Sequence, residues 1–292
     1  MNKKLVSRAV DAYLDTLQGS DAVRFRFFEG LWDVQCSVDV PDLSYEPIGS
    51  RAVAETLGAG RTIFEVNPPE IPLQGYREAL SRVAGYVVEM AGLSARQAQA
   101  LAAVDFEALI DADRLAIAAS APTGFIAVVQ EDLGVTGQTD LTSTTLAFVL
   151  ASALTPFLEG PASRSMSALE ADAREAGRSP VCPVCGSTAT LAQVGETGSA
   201  LGAGRTLWCG LCHTEWEYDR IRCSRCGNRS QKSLHYLHVE GDDAHRLHVC
   251  DDCNGYIRTV FQANTNKPIS FQVEDVAMAG LDALALSRTH HE

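Results

Sequence analysis

Basic charge is scarce in this sequence: 24 Lys and Arg stand against 37 Asp and Glu, a formal net charge of −13. Sequence-independent nucleic-acid binding is driven by Lys and Arg displacing phosphate counterions, so the chain as a whole is argued against as a nucleic-acid binder, and only a local basic patch stays open. An export leader is also missing. The start, MNKKLVSRAVDAYLDTL, has Arg8, Asp11 and Asp15 where an apolar stretch would be needed, and no paired arginines. A cytoplasmic location and no membrane are therefore expected. Long apolar runs are nearly absent. The longest uncharged one, Leu141 to Leu158, carries five Ser/Thr hydroxyls in its first twelve residues and ends near Pro156, which reads as a buried helix. No phosphate loop is present either: the glycines from Gly195 to Gly204 fit neither dinucleotide nor Walker spacing, and no lysine follows, so they read as a hairpin or loop.

What remains is a globular composition, 46% apolar and 21% charged, over 292 residues, enough for a buried core and more than one domain. Up to about Ala176 the chain is rich in Ala, Leu and Val at helical spacing. Val83, Val87 and Met90 recur on one stripe, and Leu101, Val104, Phe106, Leu109 and Ile110 follow Ser94, a candidate cap. The three prolines of EVNPPEIPLQG demand an extended connector, and breaks near Gly160, Pro161 and Gly177 to Pro180 bracket a last Ala-rich helix. After Pro180 the texture changes to short alternating segments, cysteine pairs and glycine turns. Glu215, Trp216, Glu217, Tyr218 and Asp219 alternate acid and aromatic, a strand with one aromatic face. Val273, Val276, Ala277, Gly280, Leu281 and Leu284 form the stripe of a closing amphipathic helix. The fold class read from this is α+β: a helical N-terminal domain over 1–178, two tandem four-cysteine modules over 179–220 and 221–292, and a C-terminal helix within the latter.

Eight of the nine cysteines lie between Cys182 and Cys253 as four Cys-x-x-Cys pairs: Cys182/Cys185, Cys209/Cys212, Cys223/Cys226 and Cys250/Cys253. Each cysteine of the first two pairs is followed, 41 residues on, by its counterpart in the last two, which is a tandem repeat. In a reducing compartment such thiols stay free unless a metal takes them. Sequential pairing closes two spacers of 23 residues; nested pairing closes 10 and 64. Loop entropy separates the two by only about 0.2 kcal/mol. The repeat decides instead, because a duplicated unit implies that each copy carried a complete site. Four thiolates exclude Mg²⁺ and Ca²⁺, leave Zn²⁺ or iron, and saturate a tetrahedral ion so that no position is open for hydrolytic chemistry. The first knuckle, Cys182-Pro183-Val184-Cys185-Gly186, has the rubredoxin form.

Arg220, Arg222, Arg225, Arg229 and Lys232 form a basic cluster beside Trp216 and Tyr218, able to meet single-stranded nucleic acid or an acidic protein surface. His213, His235, His238, His245 and His248 lie near the cysteines but read as outer or solvent-facing positions. Glu215 and Glu217 read as the strand's polar face, and the lone Cys36 as a buried helical residue.

Together, CPVCGS from Cys182, RTLWCGLCHTEW from Arg205, YDRIRCSRCGN, CDDCNGYIRTV from Cys250 and VEDVAMAGLDALAL resemble, in order, the formate dehydrogenase accessory protein FdhE family. The chain departs from the family's pattern at His248 and Val249, where a Glu is usual, and at Glu274 and Asp275, where two Asp are usual. The resemblance implies a cytoplasmic maturation factor without turnover of its own. It implies contact with the formate dehydrogenase catalytic subunit, expected around Trp216, Tyr218, Arg220, Arg222 and Arg225, and two iron ions in rubredoxin-like sites, with zinc as the alternative. A nucleic-acid-binding zinc ribbon and a rubredoxin-like electron-transfer component are the other readings of the same residues.

Overall fold

The computed structural model describes residues 1–41, 45–134, 141–196, 203–283 and 285. Twelve α-helices are seen among the described residues: α1 (Lys3–Leu14), α2 (Gly19–Cys36), α3 (Ser50–Gly58), α4 (Ile63–Val66), α5 (Leu73–Met90), α6 (Ala95–Ala102), α7 (Phe106–Leu109), α8 (Ala112–Ser120), α9 (Pro122–Asp132), α10 (Ser143–Ser167), α11 (Ala171–Ala176) and α12 (Phe271–Ala277). Six strands lie between the last two: β1 (Leu191–Glu196), β2 (Ala203–Trp208), β3 (Glu215–Tyr218), β4 (Leu234–Leu237), β5 (His245–Cys250) and β6 (Gly255–Phe261). The residues group by packing into two units, one of Met1–Phe25, Glu170–Pro183 and Thr188–Glu292, the other of Arg26–Leu169 and Val184–Ser187. The boundary expected at 178 follows chain order, whereas packing places α1 with the cysteine-bearing segment.

In the helical unit α5 buries Tyr76, Ala79, Leu80, Val83, Ala84 and Val87, a stripe at three- and four-residue spacing. Met90, assigned to that stripe from the sequence, is exposed. The Tyr76 hydroxyl donates to the Leu150 carbonyl at 3.1 Å, and its ring meets Phe125 and Phe157 edge-on, which locks α5 against α9 and α10. Ser94 does cap a helix, through a reciprocal pair with Gln97. The apolar pattern beyond it breaks at Ala103, and Asp105 caps a separate short helix, α7. The break expected at Gly160 and Pro161 does not occur: α10 runs through Pro156 and Pro161 from Ser143 to Ser167. Burial of Leu146, Val149, Leu150, Ala153, Leu154, Phe157 and Leu158 holds it together despite the missing N–H groups. This helix is long and apolar enough to cross a bilayer, and those side chains are buried inside the protein.

In the other unit all six strands form one sheet in the order β3-β2-β1-β6-β5-β4. Each cysteine repeat contributes an antiparallel three-stranded meander, and the two meanders join through the parallel pair β1 and β6. The second copy is thus laid beside the first in the same orientation. One face carries Trp208, Leu191, Leu247 and Val260, packed under Phe271, Met278 and Leu281. The closing helix is interrupted within its stripe: α12 ends at Ala277, tightens into a 3₁₀ turn over Met278–Gly280, and helical backbone resumes at Leu281 to Ala283. Leu284 and most of the glycine-rich stretch after Glu196 lie outside the described residues.

Candidate metal centres

The four knuckles share one backbone solution. The residue after the second cysteine is Gly186, His213, Gly227 and Asn254 in turn, with φ of 76°, 59°, 77° and 53°. Such left-handed backbone suits Gly and Asn, and His tolerates it better than most side chains. His213 N–H returns to the Cys209 carbonyl at 2.9 Å and Gly227 N–H to the Cys223 carbonyl at 3.0 Å. Cys209 and Cys223 N–H donate to the Thr214 and Asn228 carbonyls at 2.9 and 2.7 Å. A hairpin closed in this way turns both side chains of Cys-x-x-Cys to the same side.

Strand pairing then brings the knuckles together two by two. The sulfurs of Cys182, Cys185, Cys209 and Cys212 all lie within 4.8 Å of one another, and so do those of Cys223, Cys226, Cys250 and Cys253. The repeat's sequential pairing is the one the fold adopts, and the nested one is not. The S···S separations are 3.6 Å for Cys182 and Cys212, 3.7 Å for Cys223 and Cys253, and 3.9 Å for Cys226 and Cys250. A disulfide would need about 2.05 Å. A tetrahedral ion with metal–sulfur bonds of about 2.3 Å has edges of about 3.8 Å, so both sets have the size of a metal tetrathiolate. Burial and the neighbouring Cys226, Cys223 and Cys250 sulfurs push the Cys253 thiol up to about 12. Gathering four thiolates in one place is therefore costly without a cation, and a bound ion offsets that cost.

Polar groups around the sulfurs fit the same reading. Ser187 Oγ lies 3.3 Å from Cys185 Sγ and Thr214 Oγ1 3.1 Å from Cys212 Sγ, both inside buried surroundings. In the second set the Arg225 and Cys226 N–H groups donate to Cys223 Sγ at 3.3 and 3.5 Å, and Asn228 Nδ2 approaches Cys250 Sγ at 3.9 Å. Gly255 has no room for a side chain: a Cβ there would fall 2.8 Å from Arg225 Cγ and 3.1 Å from Cys253 Sγ. The sets differ in access. All four cysteines of the first are buried, whereas Cys226 and Cys253 of the second are exposed.

The expected partner residues are placed as follows. β3 alternates as its sequence requires, with Glu215 and Glu217 outward and Trp216 and Tyr218 buried. Trp216 Nε1 donates to the Ser179 carbonyl and Tyr218 Oη to the Cys223 carbonyl, so the aromatic face belongs to the interior. Arg220 and Arg225 are exposed, while Arg222 reaches inward to the Arg178 carbonyl and lies over the Tyr218 ring. Arg229 pairs with Asp219 at 2.7 Å. Cys36 is half-buried at the end of α2. None of the five histidines near the cysteines belongs to either sulfur set. His213 stacks on Trp208, His248 on Tyr236, and His245 lies between Asp242 and Glu274. Sequence reasoning missed Arg205 of β2, the largest fully buried side chain. Its signal was an arginine where strand alternation with Leu207 calls for an inward residue.

Residues 181–220, almost the span of the first four-cysteine module, match the family model described as FdhE, central domain. A protein FdhE homolog of Stutzerimonas stutzeri is 38% identical over 91 residues, 31% of this chain and 29% of that protein. Protein FdhE of Escherichia coli (strain K12 / DH10B) is 36% identical over 105 residues, 35% of this chain and 32% of its own. The chain thus matches about a third of the length of these relatives. The crystal structure of the FdhE protein from Pseudomonas aeruginosa aligns over 99% of this chain and 93% of its own with a TM-score of 0.56 at 19% identity, so the fold is shared along the whole length. The resemblance to the FdhE family read from the cysteine blocks is met by the family model and the curated relatives, and the solved structure adds the shared fold.

Proposed function

We propose, on the premise that residues 181–220 form an FdhE-type central domain, that this chain is a formate dehydrogenase accessory protein. In this reading it holds one metal ion in each four-cysteine set and contacts the catalytic subunit of the immature enzyme in the cytoplasm. The observation that carries it is the pair of tetrathiolate-sized sulfur sets built by a duplicated knuckle–hairpin–knuckle unit, one copy of which is the segment matched to the family model. The ion, once bound, supplies the cross-link that fixes two knuckles and their hairpin as one rigid body. With four thiolates per ion no position is left for substrate, which supports a binding and assembly role over turnover. Iron is proposed for both sites, from the resemblance to the FdhE family and the rubredoxin form of the first knuckle, and a change between Fe²⁺ and Fe³⁺ would make the surface sensitive to redox state.

The partner surface is proposed around the exposed Arg220 and Arg225, with Trp216, Tyr218 and Arg222 supporting it from within. Burial of both aromatics weighs against the reading as a single-strand nucleic-acid binder, which needs exposed rings for base stacking. The test is a co-purification of the chain with the formate dehydrogenase catalytic subunit, alongside metal content and the visible spectrum. Retention of the subunit with two iron ions per chain is the expected result. Metal-loaded chain that fails to retain the subunit ends the accessory reading, and a colourless protein with two zinc ions ends the redox part.

A further inference from the structure

Arg205 is 1% exposed, yet it has hardly any of the partners a buried guanidinium requires. Its Nη1 donates to the Arg222 carbonyl at 3.0 Å, while Nε and Nη2 are buried without an acceptor. No carboxylate forms an ion pair with it among the described residues. The groups in electrostatic reach are Tyr236, Tyr218 and Cys223, and burial, the largest influence, works against its charge. His248, stacked on Tyr236, carries no negative charge and is no counter-ion either. An isolated buried cation of this kind is costly unless a negative charge stands nearby.

Geometry locates that charge. Arg222, whose carbonyl Arg205 grips, directly precedes Cys223. Tyr218, opposite Arg205 in the sheet register, lies under both guanidiniums, 5.7 Å from Arg205 and 5.0 Å from Arg222, and donates to the Cys223 carbonyl at 2.8 Å. A divalent ion held by four thiolates leaves a net charge of about −2 on the group, whereas four thiols carry none. We propose that Arg205, a residue of the first module's strand β2, is the buried counter-charge of the second four-cysteine site, so that metal retention at the second site depends on the first module. This rests on the reading that the second set holds a divalent ion.

The experiment is chelator competition on the full-length chain loaded with zinc, read as zinc released per chain against chelator concentration. The Cys253→Ser variant marks which release belongs to the first site. Removal of groups that support metal ligands costs about 10–100-fold in affinity, and Arg205→Gln, which keeps hydrogen-bonding capacity without charge, is expected to lose the second ion at chelator concentrations lower by that factor. Arg205→Lys, which keeps the charge but not the forked geometry, is expected to stay within a few-fold of the parent protein. Release from the first site should be the same in all. Equal retention in the Gln and parent chains, or loss in Lys with retention in Gln, overturns the counter-charge role. A parent chain that takes up only one zinc ion refutes the two-metal reading itself, and does so before any variant is measured.

Discussion

The Tyr13 hydroxyl donates to both oxygens of the Glu274 carboxylate, at 3.0 and 2.9 Å, across 261 residues of sequence. Glu274 is fully buried at 0% exposure, on the first turns of α12. His245 of β5 completes the arrangement, with Nε2 3.0 Å from Glu274 and Nδ1 2.7 Å from Asp242. The Lys267 ammonium stands 3.7 Å from the centre of the Tyr13 ring. A buried carboxylate is tolerable only when it is fully hydrogen-bonded. The cluster therefore fixes α1 against α12 and the second module, which is why the first helix packs with the cysteine-bearing segment.

Replacing Tyr13 by Phe removes the hydroxyl while keeping the ring under Lys267 and beside Phe25. A hydrogen bond to a buried charge is worth about 1.5–3 kcal/mol, so Tyr13→Phe is expected to destabilise the chain by that order. Urea midpoints read by tryptophan fluorescence measure it. The double variant with Glu274→Gln is expected to cost less than the two single variants together, because the same bond is lost in both.

The pH dependence follows from His245. Burial alone would lower its value, but the hydrogen bonds and charges of Glu274 and Asp242 outweigh burial and raise it above the ordinary 6.5. A group raised on folding binds its proton more tightly in the native state, so its contribution is fully present below about 6.5 and fades as pH rises through the higher folded value. The difference in stability between the parent chain and His245→Asn is therefore expected to be largest at pH 6 and to shrink toward pH 8.5. Urea titrations at four or five pH values show it. A difference that grows with pH contradicts the assignment.

The two four-cysteine sets were legible in the sequence because cysteine spacing acts locally: two residues between sulfurs and a left-handed residue after them make a knuckle whatever surrounds it. The 41-residue period added the pairing. The fold around them was only half legible. Hydrophobic period found α5 and the strand at Trp216, but Gly160 and Pro161 read as a break, and only the burial of Phe157 and Leu158 shows why the helix continues. Glu274 sits in an apolar stripe and looks like a solvent-facing acid until Tyr13 is found beside it. No local pattern announces a contact across 261 residues. The aromatic face of β3 likewise looked like a recognition surface because alternation reports two faces without saying which is inside.

Access to the two four-cysteine sets differs, and chelation of ions bound there should follow it. Cys226 and Cys253 are exposed, while all four sulfurs of the first site are buried. A metal-loaded chain treated with a competing chelator is expected to release its ions in two phases, the second site first. Cys226→Ser should abolish the fast phase and leave the slow one, with one ion retained per chain. Removal of both ions should loosen the knuckle end of the sheet, and any loss of the Trp208 stack on Phe271 makes fluorescence a direct readout.

Asn254 offers the sharpest test of the knuckle geometry, because it is exposed and its side chain is separable from packing. Its φ of 53° is the same left-handed turn that Gly186 and Gly227 make at 76° and 77° in equivalent positions. For a residue with a Cβ this conformation costs about 1–2 kcal/mol, less for Asn and nothing for Gly. Asn254→Gly is accordingly expected to leave stability and metal retention within a few tenths of a kcal/mol of the parent, a magnitude typical of surface changes without a named defect. Asn254→Val should lose about 1–2 kcal/mol, and it should release the second ion at lower chelator concentration because the strain falls next to Cys253. The first site lies in a separate pair of knuckles and should be unaffected. Equal behaviour of the Gly and Val variants would mean that the turn is not enforced by the metal site, and that the four positive φ values have no common cause.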